Sequence, residues 1–414
     1  MSRPDTLAID FGTSNSACAI FQDGSVRRIA IEAGEETLPT AVFFPASRGD
    51  MRIGTAAGDA LIAGKEGRYM RALKSVLGTS LLHEPRLIGG KRRAISEIIT
   101  SFLALVKSRA ETTVGHSLPK ALSGRPVHFY SKDEARDVQA EADLHACYLA
   151  AGFEAVEFMY EPEAAALASY GSAVSGEVGL IVDIGGGTSD FSVFRMNGAR
   201  VEILASHGIR LGGTNFDHAV SMSHVMDKLG YGGVLNRSLG EGQLPIPNGI
   251  FVDLATWEKI PFLYTADTRR MVAEMVKLAV EPQKLSRMAG VLEDELGHDL
   301  AFAVERGKIA ANAPGARAQI EMGLIEKGLS AQITEGTLNA SLAAYGAQIR
   351  EAAVETLVAA GVSPFALQAV VYVGGSSLMG MVSREIGALC PQARHEYGEA
   401  FTAVVDGLAL ASQG

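Results

Sequence analysis

Cysteine is scarce. Only Cys18, Cys147 and Cys390 occur among 414 residues, far apart and outside any CxxC pair. That excludes a disulfide framework and a thiolate metal centre, and it fits a reducing compartment. No apolar run reaches the roughly 18 residues a membrane span requires. No basic-then-apolar leader precedes the strand-like "TLAIDF" near the start, so the cytoplasm is the expected location. Basic residues are the minority, 37 against 47 acidic, for a net charge of −10. Such a surface is a poor match to nucleic acid or anionic membrane, and the local basic group at residues 89–94 reads as a solvated face. No HExxH is present, and His218 and His224, six apart, do not share a helix face, so no histidine metal site is expected. The phosphate loop GxxxxGK[ST] and a strand-linked GxGxxG are both missing, which sets aside the P-loop and dinucleotide folds. Heptads, short repeats and low-complexity tails are missing too.

What the chain does have is ample apolar content, 47% of residues, enough for two to four domains by length. It also has glycine in an unusual place. "LIVDIGGGTSDFSVF", residues 180–194, sets Asp183, Gly185, Gly186, Gly187, Thr188 and Asp190 between two β-branched, apolar runs that read as strands. A hairpin turn needs one or two glycines for its backbone angles; three in a row exceed that requirement. "LAIDFGTSNSACAIF", residues 7–21, has the same plan, with Asp10 falling on Asp183, Gly12 on Gly185 and Phe21 on Phe194. Two further strand-to-glycine turns follow the same chemistry: "RLGGTNFD" with Gly212, Gly213 and Asp217, and "VVYVGGSSLMG" with Gly374, Gly375 and Ser376.

Successive backbone N–H groups in a glycine-rich hairpin make an anion-binding hollow, and side chains there would obstruct a phosphate. Thr13, Ser14 and Thr188 add hydroxyl donors. Carboxylates repel phosphate, so Asp10, Asp183 and Asp190 imply a cation between them and the anion. Mg²⁺ suits this, since it keeps several waters and takes one or two carboxylates. Asp10 and Asp183 are the expected metal contacts. The repeat therefore predicts an α/β chain of two similar lobes clamping a polyphosphate.

On these motifs the sequence resembles the superfamily of actin, sugar kinases and DnaK-type heat-shock chaperones of the 70-kDa class. "IDFGTSNS" (with Asn15) and "VDIGGGTSD" look like its two phosphate hairpins, "EPEAAALASYG" like its linking helix, "LGGTNFD" like the motif that follows, and "VYVGGSS" like its adenosine motif. "RALKSVLGT" is similar to the chaperone segment whose lysine lies beside the γ-phosphate, which gives Lys74 that role. "VERGKIAANA" is similar to the helix covering adenosine, with Glu305, Lys308 and Asn312 as contacts. The chain as a whole looks most like the short YegD-like chaperone subgroup.

The resemblance implies an actin-like ATPase fold, a duplicated ribonuclease H-like core around a nucleotide cleft. Lobe I would comprise residues 1–175 and 394–414, with an inserted subdomain near 38–95. Lobe II would be residues 176–393, with an insert near 223–316. It implies ATP and ADP with Mg²⁺, K⁺ being a further candidate, and slow ATP hydrolysis with Lys74, Glu161, Asp183 and Asp190 as catalytic groups. Nucleotide state would control lobe closure and the binding of a protein client or nucleotide-exchange partner. A small-molecule kinase and an actin-like filament protein are the alternatives within the same superfamily.

Some positions depart from the family. Ile309 and Leu378 stand where arginines usually sandwich the adenine, and Ser14 replaces a threonine. Pro126 matches the switch proline between lobes, and Arg136 loosely matches its arginine partner. "FTAVVDGLALAS" looks like the last helix of the ATPase unit, so no peptide-binding β-sandwich is expected within these residues. Helices are expected over "DTRRMVAEMVKLAV", over 284–313 as one run, and from a Thr334 cap to Gly361. Residues 229–250, rich in glycine and proline, read as a surface loop.

Overall fold

The structure is a computed structural model that describes residues 3–413 except 33, 47–48, 131–132, 171–175, 199, 239 and 398–400. The lobe boundary expected near residue 175 lies outside the described residues. The chain is a mixed α/β protein in two compact units. The first comprises residues 1–210, 350–378 and 386–414; the second comprises 211–349 and 379–385.

The first unit opens with β1 (Thr6–Phe11), β2 (Asn15–Gln22) and β3 (Ser25–Arg28), followed by β4 (Thr37–Pro39). Next come β5 (Ala41–Pro45), β6 (Arg52–Ile53), α1 (Thr55–Ile62) and β7 (Gly67–Arg71), the strands forming a small antiparallel sheet. The hairpin β8 (Arg86–Ile88) and β9 (Lys91–Arg93) precedes α2 (Ile95–Val114), β10 (Lys120–Arg125), α3 (Glu134–Ala150), β11 (Ala155–Tyr160) and α4 (Glu161–Tyr170). Strands β12 (Val178–Ile184), β13 (Ser189–Asn197) and β14 (Arg200–Ile209) complete this stretch.

The second unit holds α5 (Gly213–Val220), the small hairpin β15 (Val234–Asn236) and β16 (Gln243–Pro245), α6 (Gly249–Leu254), α7 (Ala266–Leu278), α8 (Pro282–Glu293), α9 (Gly297–Ala311), and the hairpin β17 (Arg317–Glu321) with β18 (Ser330–Thr334). Helix α10 (Glu335–Ala359) runs on from it. Then follow β19 (Ala369–Val373), α11 (Gly380–Leu389), β20 (Arg394–Glu396) and α12 (Ala403–Ala411).

Two sheets of the first unit share one topology. The order is β3-β2-β1-β10-β11 in one and β14-β13-β12-β19-β20 in the other. In each, the first three strands pair antiparallel and the last two join parallel. The central strands β1 and β12 are nearly continuous apolar runs, as strands buried on both faces must be. Small residues fill the space beside them. Ala8, Ala17, Ala19, Ala164, Ala165 and Ala166 pack with α12, and a Cβ on Gly407 would fall 1.8 Å from the Ala164 carbonyl oxygen. Glycine at 407 is what lets α12 lie that close to α4.

Helix α10 runs as the capping pattern predicts. The Thr337 backbone N–H donates to Thr334 Oγ1 at 3.2 Å, and Gly361 takes φ +66° just past the helix end. The expected single helix over 284–313 is two helices instead. Glu295 adopts φ +55° between α8 and α9, and the Tyr264 hydroxyl donates to the Glu295 carbonyl while accepting from the Gly297 N–H, both at 3.0 Å. A bond from outside the segment closes that break. The stretch 229–250 likewise carries β15, β16 and the first residues of α6 rather than loop alone.

Candidate functional site

The two glycine hairpins have the same length as well as the same motif. Phe11 pairs with Ser16 and Ile184 with Ser189, leaving residues 12–15 and 185–188 as the turns. Asp10 and Asp183 sit one residue before these closing pairs, at matching registers. None of Gly12, Gly185, Gly186 or Gly187 has a positive φ, so the backbone angles do not by themselves call for glycine. Space does at two of them. A Cβ on Gly12 would lie 2.2 Å from the Asn15 carbonyl oxygen, and one on Gly186 would lie 2.2 Å from Ser14 Oγ. The two turns therefore abut, with the Ser14 hydroxyl against Gly186. At Gly187 nothing lies within 4 Å, and Gly187, Thr188, Ser14 and Asn15 face solvent.

Around these turns the first unit gathers four carboxylates and one ammonium. Lys74 Nζ lies 2.5 Å from Glu161 Oε1, and both side chains are largely buried, 8% and 15% exposed. Lys74 is placed by a single helical turn, residues 73–76, that follows Ala72 in the left-handed region at φ +56°. Such a conformation is strained for any residue with a Cβ. Glu161 is the first residue of α4. Burial, then the Glu161 charge, pushes Asp10 up to about 7, with Lys74 opposing. Asp190 rises to about 7 for the same two reasons, against Lys74 and a hydrogen bond from Thr188. Asp183 is raised well above the usual carboxylate range by burial and by Glu161, Asp190 and Asp10. Burial alone would lower Lys74, but Glu161, Asp10 and Asp183 outweigh it and raise it.

One lysine cannot balance four carboxylates, and that excess adds to burial, the larger cause, in raising the three aspartates. Among the described residues no group of three or more His, Cys, Asp or Glu could hold a metal ion directly. A cation held mostly through its own waters, as Mg²⁺ is, needs only one or two of these groups and fits this donor set.

Glycines also make room for the carboxylates. A Cβ on Gly208 of β14 would meet Asp190 Oδ1 at 2.5 Å. Gly374, at φ +77°, would put one 2.5 Å from the Ile184 carbonyl oxygen and 2.9 Å from Asp183 Oδ1. Gly374 thus seats the end of β19 against the second hairpin, with Gly375 and half-buried Ser376 following it. A Cβ on Gly375 would strike the ring of Phe401.

The remaining candidates lie in the second unit. Gly212 precedes α5 and Gly213 begins it, and the Gly212 N–H donates to Asn215 Oδ1 at 2.9 Å. Glu305, Lys308 and Asn312 lie along α9 and its C-terminal end. Lys308 is buried, its Nζ 2.7 Å from Asp217 Oδ1, a partner that spacing alone does not reveal. Asn312 Oδ1 accepts from the Gly380 N–H at 2.8 Å. Ile309 is 61% exposed on the same helix.

The arginine that touches the Pro126 carbonyl is Arg125, with Nε at 3.0 Å; Arg136 instead lies over the Tyr130 ring at 4.1 Å. A cavity of about 530 Å³ lined by Arg28, Ser169 and Asp406, among others, includes none of the four clustered carboxylates.

A family model described as Hsp70 protein matches residues 83–233, a span containing Glu161, the second glycine hairpin and Gly212–Gly213. The chain is also similar to "Chaperone protein DnaK" of Metamycoplasma hominis, 32% identical over 224 residues. That alignment covers 53% of this chain, and the chain covers 35% of that relative's length. Both matches support the Hsp70 family.

Proposed function

We propose that this chain binds ATP and ADP between its two glycine turns and hydrolyses ATP slowly with Mg²⁺, as a chaperone-like ATPase. The observation that carries the reading is the contact of Ser14 with Gly186. It joins two turns of one length whose preceding aspartates, Asp10 and Asp183, share a cluster with Lys74. N–H and hydroxyl groups of Thr13, Ser14, Asn15 and residues 186–188 cradle the phosphate oxygens, while the Gly185 N–H closes the second turn on the Thr188 carbonyl at 3.0 Å. Asp10 and Asp183 would hold Mg²⁺, which would supply the positive charge that lets carboxylates and phosphates share one hollow.

Lys74 neutralises the γ-phosphate, which requires its ammonium to share or leave Glu161. Glu161 so released, or Asp183, orients the attacking water, and Asp190, held near neutral pH, accepts its proton. Phosphoryl transfer asks a protein chiefly for placement and charge, and both are supplied here by side chains already fixed by burial. Gly212, Gly213, Gly374, Gly375, Ser376, Glu305, Lys308 and Asn312 are assigned to the nucleoside. The fold reading is the actin-like one, two lobes closing on the nucleotide, with residues 38–95 and 223–316 as inserted subdomains. Closure set by nucleotide state would govern binding of a protein partner. Calorimetric titration with ATP, with and without Mg²⁺, tests this reading: tight binding that needs Mg²⁺ supports it, and absence of binding refutes it.

A further inference from the structure

Arg125, the last residue of β10, is held on both faces and along its edge beside the Lys74–Glu161 pair. Its guanidinium carbon lies 5.3 Å from the ring centroids of both Phe129 and Tyr160. Phe129 is in turn the ring beneath Lys74, with Nζ at 5.9 Å from its centroid. Tyr160 is the residue immediately before Glu161. Each aromatic contact of Arg125 therefore leads to one member of the ion pair.

The edge of the guanidinium is spent elsewhere. Nε donates to the Pro126 carbonyl at 3.0 Å and Nη2 to the Val127 carbonyl at 3.3 Å. On α3, Asp137 Oδ2 lies 3.6 Å from Nη2, and Glu141 Oε2 accepts from Nη1. Asp137 Oδ1 also accepts from the backbone N–H of Phe129 at 2.5 Å and of Tyr130 at 3.1 Å. The segment 126–130 is thus folded around one side chain. Only a planar cation can press its faces on aromatic rings while its edge donates to carbonyls and carboxylates; lysine has neither the plane nor the fork.

We propose that Arg125 is the positioning residue of the Lys74–Glu161 pair, fixing Lys74 through Phe129 and Glu161 through Tyr160 while anchoring both to α3. Its catalytic meaning rests on the ATPase reading above, but its structural effect does not. Arg136, the arginine expected by resemblance, stacks on Tyr130 outside this arrangement.

The test is pulse acylation of lysines in the full chain without nucleotide, read residue by residue by mass spectrometry. Lys91, exposed, calibrates the reagent, and Lys308, buried on Asp217, reports general loosening. Arg125→Ala should speed acylation of Lys74 at least fivefold with Lys308 unchanged. Phe129→Leu should do the same, and Arg125→Lys should restore part of the protection. Unchanged labelling of Lys74, or an equal rise at Lys308, overturns the proposal.

In the ATPase assay Arg125→Ala should lower kcat about tenfold with KM within threefold. An unchanged kcat, or a loss confined to KM, would contradict the positioning role. If the wild type binds no ATP the ATPase reading fails, while the labelling result still decides whether Arg125 holds the pair.

Discussion

Ser14 Oγ occupies the space that a side chain at position 186 would need: the ideal Cβ of Gly186 lies 2.2 Å from it. Two turns at equivalent positions of the two like sheets meet at that point. Replacing Gly186 by alanine forces Ser14 to move, and the offending atom is the end of a short, rotatable side chain. Gly186→Ala should therefore cost only about 1–2 kcal/mol in stability but weaken ATP binding tenfold or more. Ser14→Ala in the same chain should recover most of the stability and little of the affinity. Chemical denaturation and calorimetry on the wild type and these two variants separate the two effects.

Gly374 gives a stronger stability prediction. Its φ of +77° disfavours any residue with a Cβ, and the added atom would meet the Ile184 carbonyl, which cannot rotate away. Gly374→Ala should lose about 2–4 kcal/mol in denaturant unfolding, combining backbone strain with overpacking. A loss below about 0.5 kcal/mol would mean that β19 can shift along the second hairpin.

The carboxylate cluster makes metal-free stability fall as pH rises. Asp10 and Asp190 titrate near 7 in the folded chain and near 3.8 when unfolded. Between those values the folded state binds more protons, so their contribution is present below about pH 4 and is lost progressively up to about pH 7. In EDTA, the melting temperature of the wild type should decline across this window relative to a chain without the cluster's charge, by an amount worth up to a few kcal/mol. Asp190→Asn should flatten the decline. A melting temperature that climbs from pH 4 to 7 and is indifferent to Asp190→Asn contradicts the charge excess.

Thr334 offers a control outside the cluster. Its hydroxyl accepts from the Thr337 N–H at the start of α10. Thr334→Ala should cost about 1 kcal/mol and leave the affinity for ATP unchanged, which unfolding and titration of the same preparation will show.

How far the sequence anticipates the molecule depends on where each determinant lies. The hairpins were legible because strand, turn and aspartate fall within fifteen consecutive residues and occur twice. The Thr334 cap and the Gly361 stop were legible for the same local reason. The break at Glu295 was not: neither glycine nor proline stands there, and the bond that closes it comes from Tyr264. Arg125 carries no local signal because its two rings lie 4 and 35 positions away in the chain, and the ion pair of Lys308 is hidden because its counter-ion Asp217 belongs to another helix. Backbone freedom explains the turn glycines only in part. Their φ values are unexceptional, and it is neighbouring atoms that exclude a side chain at 12 and 186.

Asp183 and Lys74 are assigned here to one phosphate site. The most direct test is Mg²⁺-dependent ATP hydrolysis by the purified protein beside its Asp183→Asn and Lys74→Ala variants. Slow turnover in the wild type that falls at least tenfold in both variants is the predicted result. Wild-type turnover retained by Asp183→Asn would contradict it.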